Sequence, residues 1–362
     1  MSVGSRGGGS SRAPALVTGG AGFIGSNLVD RIARDGGPVR VLDSLARPGV
    51  EMNVEWLRRR HPERVEVVIA DVRDMSAVTA AMRDVTTVYH LAGQTAVTTS
   101  LVDPRADFEV NALGTINVLE AARQNARRPA VIFASTNKVY GDLGDVELVQ
   151  EQDGYAPVDA ALRRYGVGES RPVDFHTPYG CSKGAADQYV LDYSRSFGLP
   201  TAVLRMSCIY GPRQLGTEDQ GWVAHFARSA LEGSPLTIYG DGLQVRDVLH
   251  VSDAVEAYVA AAERIEAISG RAFNLGGGPE NVVSLRAVMA AIIELTGRPI
   301  ASELAPWRAG DQRYYVSDTR RAAQELELPR PRHWRDGLGD LIEWLSSMRR
   351  EAPALAVAGG AA

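Results

Sequence analysis

The chain has 362 residues, a formal net charge of −5, about 45% hydrophobic and 23% charged residues. That length suits two domains sharing an interface, or one large α/β domain carrying an added lobe. The acidic balance gives no electrostatic reason to expect a nucleic acid or an anionic membrane as partner, and no apolar run is long enough to span a bilayer.

Met1–Arg12 is Gly/Ser-rich without an apolar segment, so it reads as a flexible tail rather than a signal peptide. From there β-rich apolar runs alternate with helical stretches. Ala15–Thr18, Val39–Asp43, Val65–Ala70, Thr87–Leu91, Ala130–Ser135 and Thr201–Met206 are predicted strands. Their near-continuous apolar character fits a sheet covered on both faces. Phe23–Asp35 is a predicted helix, with Ile24, Leu28 and Ile32 every four residues and Gly36-Gly37 as its stop. The alternation predicts an α/β fold, a doubly wound parallel (Rossmann) sheet. After about Gly211, Gly, Pro and Trp become frequent and the elements shorten, which predicts a smaller C-terminal α/β substrate-binding lobe. The expected division is a tail over 1–12, a dinucleotide-binding domain over 13–205, a lobe interleaved with it over 206–345, and a flexible tail over 346–362. Cys181 and Cys208 are too few for a disulfide framework and lack zinc spacing, so no metal and a reducing cytoplasm are expected.

Thr18–Gly25 joins the first strand to the first helix, and Gly19, Gly22 and Gly25 have the spacing G-x-x-G-x-x-G. Glycines there permit a tight turn and close approach of backbone N–H groups to a pyrophosphate at the helix N-terminus. Gly19, Gly22, Phe23, Ile24 and Gly25 are thus candidate cofactor contacts. Asp43 ends the second strand where an acidic residue binds both hydroxyls of an adenine ribose and repels a 2′-phosphate, so NAD is the expected cofactor. Asp71 and Val72 after the third strand, and Leu91, Ala92 and Gly93 after the fourth, are softer candidates, since strand ends favour such residues anyway.

Tyr179 and Lys183 lie four residues apart, on one face of a helix. Removing hydride from a carbinol needs a base, and free tyrosine, with a pKa of about 10, is a poor one. A nearby lysine ammonium and a positive nicotinamide are both expected to lower that value. The fifth strand ends in Ser135-Thr136-Asn137. Thr136 is the candidate for steadying the reacting oxygen, with Ser135 as the neighbour that could face the cofactor instead. Asn137 is a candidate substrate contact. Asn111 sits in the predicted helix Phe108–Gln124, where a mid-helix Asn is mildly unfavourable, and bridging backbone to an active-site water is one role open to it.

Together Thr18–Gly25, the Ser135-Thr136 strand end, Tyr179-x-x-x-Lys183 and Arg246–Val251 resemble the extended short-chain dehydrogenases/reductases that act on nucleotide sugars, over roughly Ala13 to Leu345. Ser135–Gly141, Thr177–Tyr189, Met206–Phe226, Asn274–Asn281 and Trp307–Asp318 resemble its CDP-paratose 2-epimerase (CDP-tyvelose epimerase) branch. The resemblance implies a tightly held NAD, a sugar oxidised to a ketone and reduced on its other face, and inversion at C2. It implies that Tyr179 is the base, Lys183 its partner, Thr136 the hydroxyl holder, and Arg246 and Arg308 the partners of a nucleotide diphosphate. Gln220–Phe226 is placed near the nucleotide or sugar. Relatives pair through two helices, which makes Phe108–Gln124 and Tyr179–Phe197 the expected surface of a homodimer or homotetramer. Gly93 departs from the alanine common among relatives. The Asp-Glu pair of 4,6-dehydratases is replaced by Asn137-Lys138, and the Glu of a related decarboxylase is absent, which argues against both. A UDP-hexose 4-epimerase and a non-catalytic NAD-sensing module remain as alternatives.

Overall fold

The computed structural model describes residues 13–308 and 310–358. The expected tail over 1–12 lies outside them. β1 (Ala15–Thr18), β2 (Val39–Asp43), β3 (Val65–Ile69), β4 (Thr87–His90) and β5 (Ala130–Thr136) are followed by β6 (Thr201–Met206), β7 (Cys208–Tyr210), β8 (Val245–His250) and β9 (Arg271–Leu275). Seven of these form one sheet, in the order β9-β6-β5-β4-β1-β2-β3. Every pairing in it is parallel. The chain therefore starts in the middle and winds outward both ways, and the order reverses between β1 and β4, where such sheets bind ligands.

Alternation along the strands feeds two cores. Val17, Ile132 and Ala134 pack on one face with Leu28 and Val29 of α1 (Phe23–Arg34). Leu16, Val131 and Phe133 pack on the other with Val118 and Leu119 of α2 (Gly114–Gln124) and Ala186 and Val190 of α3 (Thr177–Phe197). A third core under the lobe joins Phe226, Val288, Leu338 and Leu341. There β8 pairs in parallel with β7 and antiparallel with β10 (Val282–Ser284), so Arg246 sits in register with Val283.

Two expectations change. Helix α4 (Trp334–Ala358) continues through most of the segment expected as a flexible tail; alanine, the best helix former, is frequent there. Residues 359–362 lie outside the described set. The stretch Phe108–Gln124 is not one regular helix: Glu109–Leu113 forms a π-helical turn, an irregularity that often occurs at functional sites. Among the described residues no helix is long and apolar enough to cross a membrane.

Candidate active site

At the topological switch point opens a cavity of about 720 Å³, lined by the Gly-rich turn, Asp43, Asp71, Val72, Leu91–Gly93, Tyr179 and Lys183. Gly19 has φ +70°, and a Cβ on it would lie 2.6 Å from Ala92 N; one on Gly25 would lie 2.1 Å from Gly19 O. No side chain caps α1, whose N-cap is Gly22, so its first N–H groups, including those of Phe23 and Ile24, remain for an anion. Asp43 accepts hydrogen bonds from Ala21 N and Leu45 N at 2.9 Å each, which fixes its carboxylate beside the turn. Burial raises its pKa, and those N–H donors oppose the rise. Glycines that only this backbone admits, an anion-ready helix end and an anchored strand-end carboxylate fit a dinucleotide. Gly25→Ala would force α1 away from the loop and is expected to weaken NAD binding at least about tenfold, equivalent to about 1.4 kcal/mol. Unchanged affinity in a fluorescence titration would contradict the cradle. Asp71 is bound by Arg73 at 2.7 Å, and that guanidinium lowers its pKa.

The catalytic candidates converge from two elements. β5 delivers Thr136 and α3 delivers Tyr179 and Lys183, all buried. The Thr136 side chain lies close enough to the Tyr179 hydroxyl to favour its phenolate; Thr136 Oγ1 accepts from Lys138 N at 3.2 Å and donates to Asn137 Oδ1 at 3.4 Å. Lys183 Nζ donates to Ala134 O at 2.6 Å and lies 4.1 Å from the Phe133 ring centroid. In the protein alone, burial acts against the expected lowering of the tyrosine pKa. Burial pushes Tyr179 up to about 12, against the influence of the Thr136 side chain. Burial also pushes Lys183 down to about 7, against the charges of Asp187 and Asp107. Helical spacing puts the two residues on one face of α3, but desolvation penalises both charged forms.

Ser135 Oγ donates to Asp187 Oδ2 at 2.7 Å, so its hydroxyl anchors α3. Asn111, in the π-helical turn, donates to Ser182 Oγ at 3.0 Å and accepts from Gln94 N at 2.9 Å. A Cβ on Gly93 would lie 2.9 Å from Asn111 Oδ1 and 3.7 Å from Lys183 Nζ, which explains the glycine at this position. Sequence reasoning missed Asp107, a buried carboxylate that accepts from Ser182 Oγ, Gln94 and Asn111. Its i, i+4 spacing to Asn111 was the available signal. It also missed His90, held between Thr18 and Thr115 at 2.7 and 3.0 Å and pushed down to about 3 by burial, hence neutral.

Arg246 and Arg308 stand apart from the cavity wall and carry acidic partners. Arg246 donates to Asp311 at 2.7 Å; Arg308 donates to Glu218 Oε1 at 3.2 Å and lies over the Tyr239 ring at 3.6 Å. Asn137 Nδ2 donates to Gln312 Oε1 at 3.1 Å and Lys138 Nζ to Gly310 O at 2.9 Å, so the segment carrying Arg308 is tied to the end of β5.

Comparison with known proteins agrees with this architecture. Residues 15–276 match the NAD dependent epimerase/dehydratase family. The chain is 41% identical over 340 residues to a CDP-paratose 2-epimerase of Salmonella typhi, covering 92% of this chain and 99% of that protein. It is 34% identical to a UDP-glucose 4-epimerase of Mycolicibacterium smegmatis, covering 86% and 91%. The solved UDP-glucose 4-epimerase of Thermus thermophilus, in complex with NAD, superposes with a TM-score of 0.77 at 33% identity, over 92% of this chain and 99% of that one.

Proposed function

The chain belongs to the NAD-dependent epimerase/dehydratase family, and from that premise we propose that it is an epimerase inverting C2 of a nucleotide-linked hexose of the CDP-paratose/CDP-tyvelose kind. The observation that carries this reading is the make-up of the site. Thr136, Tyr179 and Lys183 converge, while the two positions after Thr136 hold Asn137 and Lys138, each hydrogen-bonded to the 310–312 segment. Neither is a carboxylic acid, so the groups for eliminating water from the sugar are missing. The likeness to the Salmonella typhi enzyme supports the choice of C2 and of a CDP-sugar.

Bound NAD supplies a hydride acceptor that is regenerated within each turnover. Gly19, Gly22, Phe23, Ile24 and Gly25 hold its pyrophosphate with Leu91, Ala92 and Gly93 alongside, Asp43 its ribose, and Asp71 and Val72 its adenine. Tyr179 takes and returns the proton of the reacting hydroxyl. Burial pushes its phenol up to about 12, so the phenolate form, which the positive charge of bound NAD would favour, is the one that takes that proton, and the phenol so formed returns it. Thr136 steadies the same oxygen as charge develops, and Lys183 sits beside the pair, fixed by Ala134 O. Asn137 contacts the sugar, and Arg246 and Arg308 exchange their carboxylate partners for phosphate oxygens. Residues 13–205 form the NAD part and 206–345 mainly the nucleotide-sugar part. Cys181 and Cys208 are free thiols, in keeping with a cytoplasmic protein; cell fractionation tests that placement. Exposed Phe108, Leu113, Tyr189 and Phe197 on the 108–124 stretch and α3 form the homo-oligomer surface, and a monomer by light scattering would remove that assignment.

CDP-, UDP-, GDP- and dTDP-hexoses incubated with the enzyme in deuterium oxide test the reaction by proton NMR. Inversion at C2 without deuterium at that carbon is expected. Inversion at C4 would move the protein to the 4-epimerases, and deuterium at the inverted carbon would replace hydride return by proton exchange.

A further inference from the structure

Of the 39 lysine and arginine residues in the chain, only Lys138 and Lys183 are lysine. Ion pairs and surface cations are otherwise built with arginine, a planar fork that does not give up its proton in proteins. The two exceptions stand in one place. Lys183 shares α3 with Tyr179, and Lys138 follows Thr136 by two residues. A compact amine that can lose its proton is thus used where the site is, and only one of the two has a role so far.

Lys138 Nζ donates to Gly310 O at 2.9 Å, which engages one of its three N–H donors. The charged and titratable groups facing it are Arg246 of β8, Asp311, Cys208 of β7 and Asp142. Asp311 is committed to Arg246 at 2.7 Å. Asp142 is exposed and accepts from Gly144 N at 3.0 Å. Lys138 and Arg246 therefore bring two cations together against one close carboxylate, an arrangement that is costly in a partly buried place until an anion joins it. We propose that Lys138 is a substrate-binding ammonium that, together with Arg246, receives the diphosphate of the nucleotide sugar. The assignment rests on the nucleotide-sugar reading above and adds to it a third cation beside Arg246 and Arg308.

The protonation of Lys138 provides a readout independent of turnover. Burial first, and the Arg246 charge second, push its amine down to about 8. A diphosphate against Nζ favours the ammonium and raises that value. Above about pH 8 the free enzyme then lacks part of a proton that the complex holds, so binding takes up protons.

The experiment is calorimetric titration of CDP and of UDP into the NAD-loaded enzyme at about pH 8.5, in two buffers of different ionisation enthalpy. The wild type is expected to take up a substantial fraction of a proton. Lys138→Met is expected to lose the uptake and about tenfold or more in affinity; Lys138→Arg is expected to bind with no uptake. NAD content equal to wild type shows that both variants are folded. Unchanged affinity or unchanged uptake in Lys138→Met overturns the role of Lys138, and so does normal wild-type binding without uptake. A wild type that binds neither nucleotide overturns the CDP- and UDP-sugar readings themselves, and this role with them.

Discussion

Tyr179→Phe is expected to leave the protein folded and loaded with NAD while lowering kcat for epimerisation by about 10²- to 10⁴-fold, the range of a positioned acid–base group. The ring remains in its buried slot, where Tyr179 N donates to Ser100 Oγ at 3.2 Å and the side chain is 8% exposed. What goes is the hydroxyl that faces Thr136. Because a phenol near 12 is not a resident phenolate at neutral pH, the wild-type kcat should still be rising with pH above neutrality, in the direction that deprotonates Tyr179. The variant should have a flat, low profile there. Steady-state rates across pH, with NAD absorbance as the loading control, make the measurement. Retained turnover would remove Tyr179 as the proton carrier, and loss of bound NAD would make it a structural residue of the cofactor site.

How far the sequence reached depends on the distance over which each signal acts. β1, β2 and β6 fall on the residues their apolar runs mark, because strands buried on both faces write a continuous pattern into a short stretch. Tyr179 and Lys183 were legible as a pair because one helix sets their spacing. Lys138 and Gly310, or Asn137 and Gln312, are partners across more than 170 residues, and nothing local announces them. The π-helical turn at Asn111 was hidden for the same reason. Its bonds to Gln94 and Ser182 are tertiary, while the flanking sequence reads as an ordinary helix. The upward push on Tyr179 was hidden on different grounds: spacing reports which residues share a face, and burial, the largest influence here, appears only once the chain is folded.

The second large effect concerns what holds in place the helix that carries Tyr179 and Lys183. Asp187→Asn is expected to destabilise the protein by about 3–5 kcal/mol, the cost of breaking a buried ion pair. Asp187 and Arg205 are both buried, and the guanidinium donates to the two carboxylate oxygens at 2.9 Å each. Arg205 also donates to Tyr140 Oη at 3.0 Å, which donates to Asn274 Oδ1 at 2.8 Å, and Ser135 Oγ donates to Asp187. The network joins α3, β5, β6 and β9 directly beneath the site. Asp187 lies one helical turn beyond Lys183 and two beyond Tyr179, on the same face, so the pair fixes both side chains relative to Thr136. With Asn in place of Asp187 the guanidinium keeps its shape partner and loses its counter-charge. Replacing both members, Asp187→Leu with Arg205→Met, removes the stranded charge and should recover most of the lost stability in urea unfolding. It should not recover kcat to the same extent, since the bidentate link between helix and strand is gone while NAD binding at the Gly-rich turn persists. A single variant as stable as wild type would mean that solvent reaches Arg205. A double variant with full kcat would mean that apolar packing alone positions the helix.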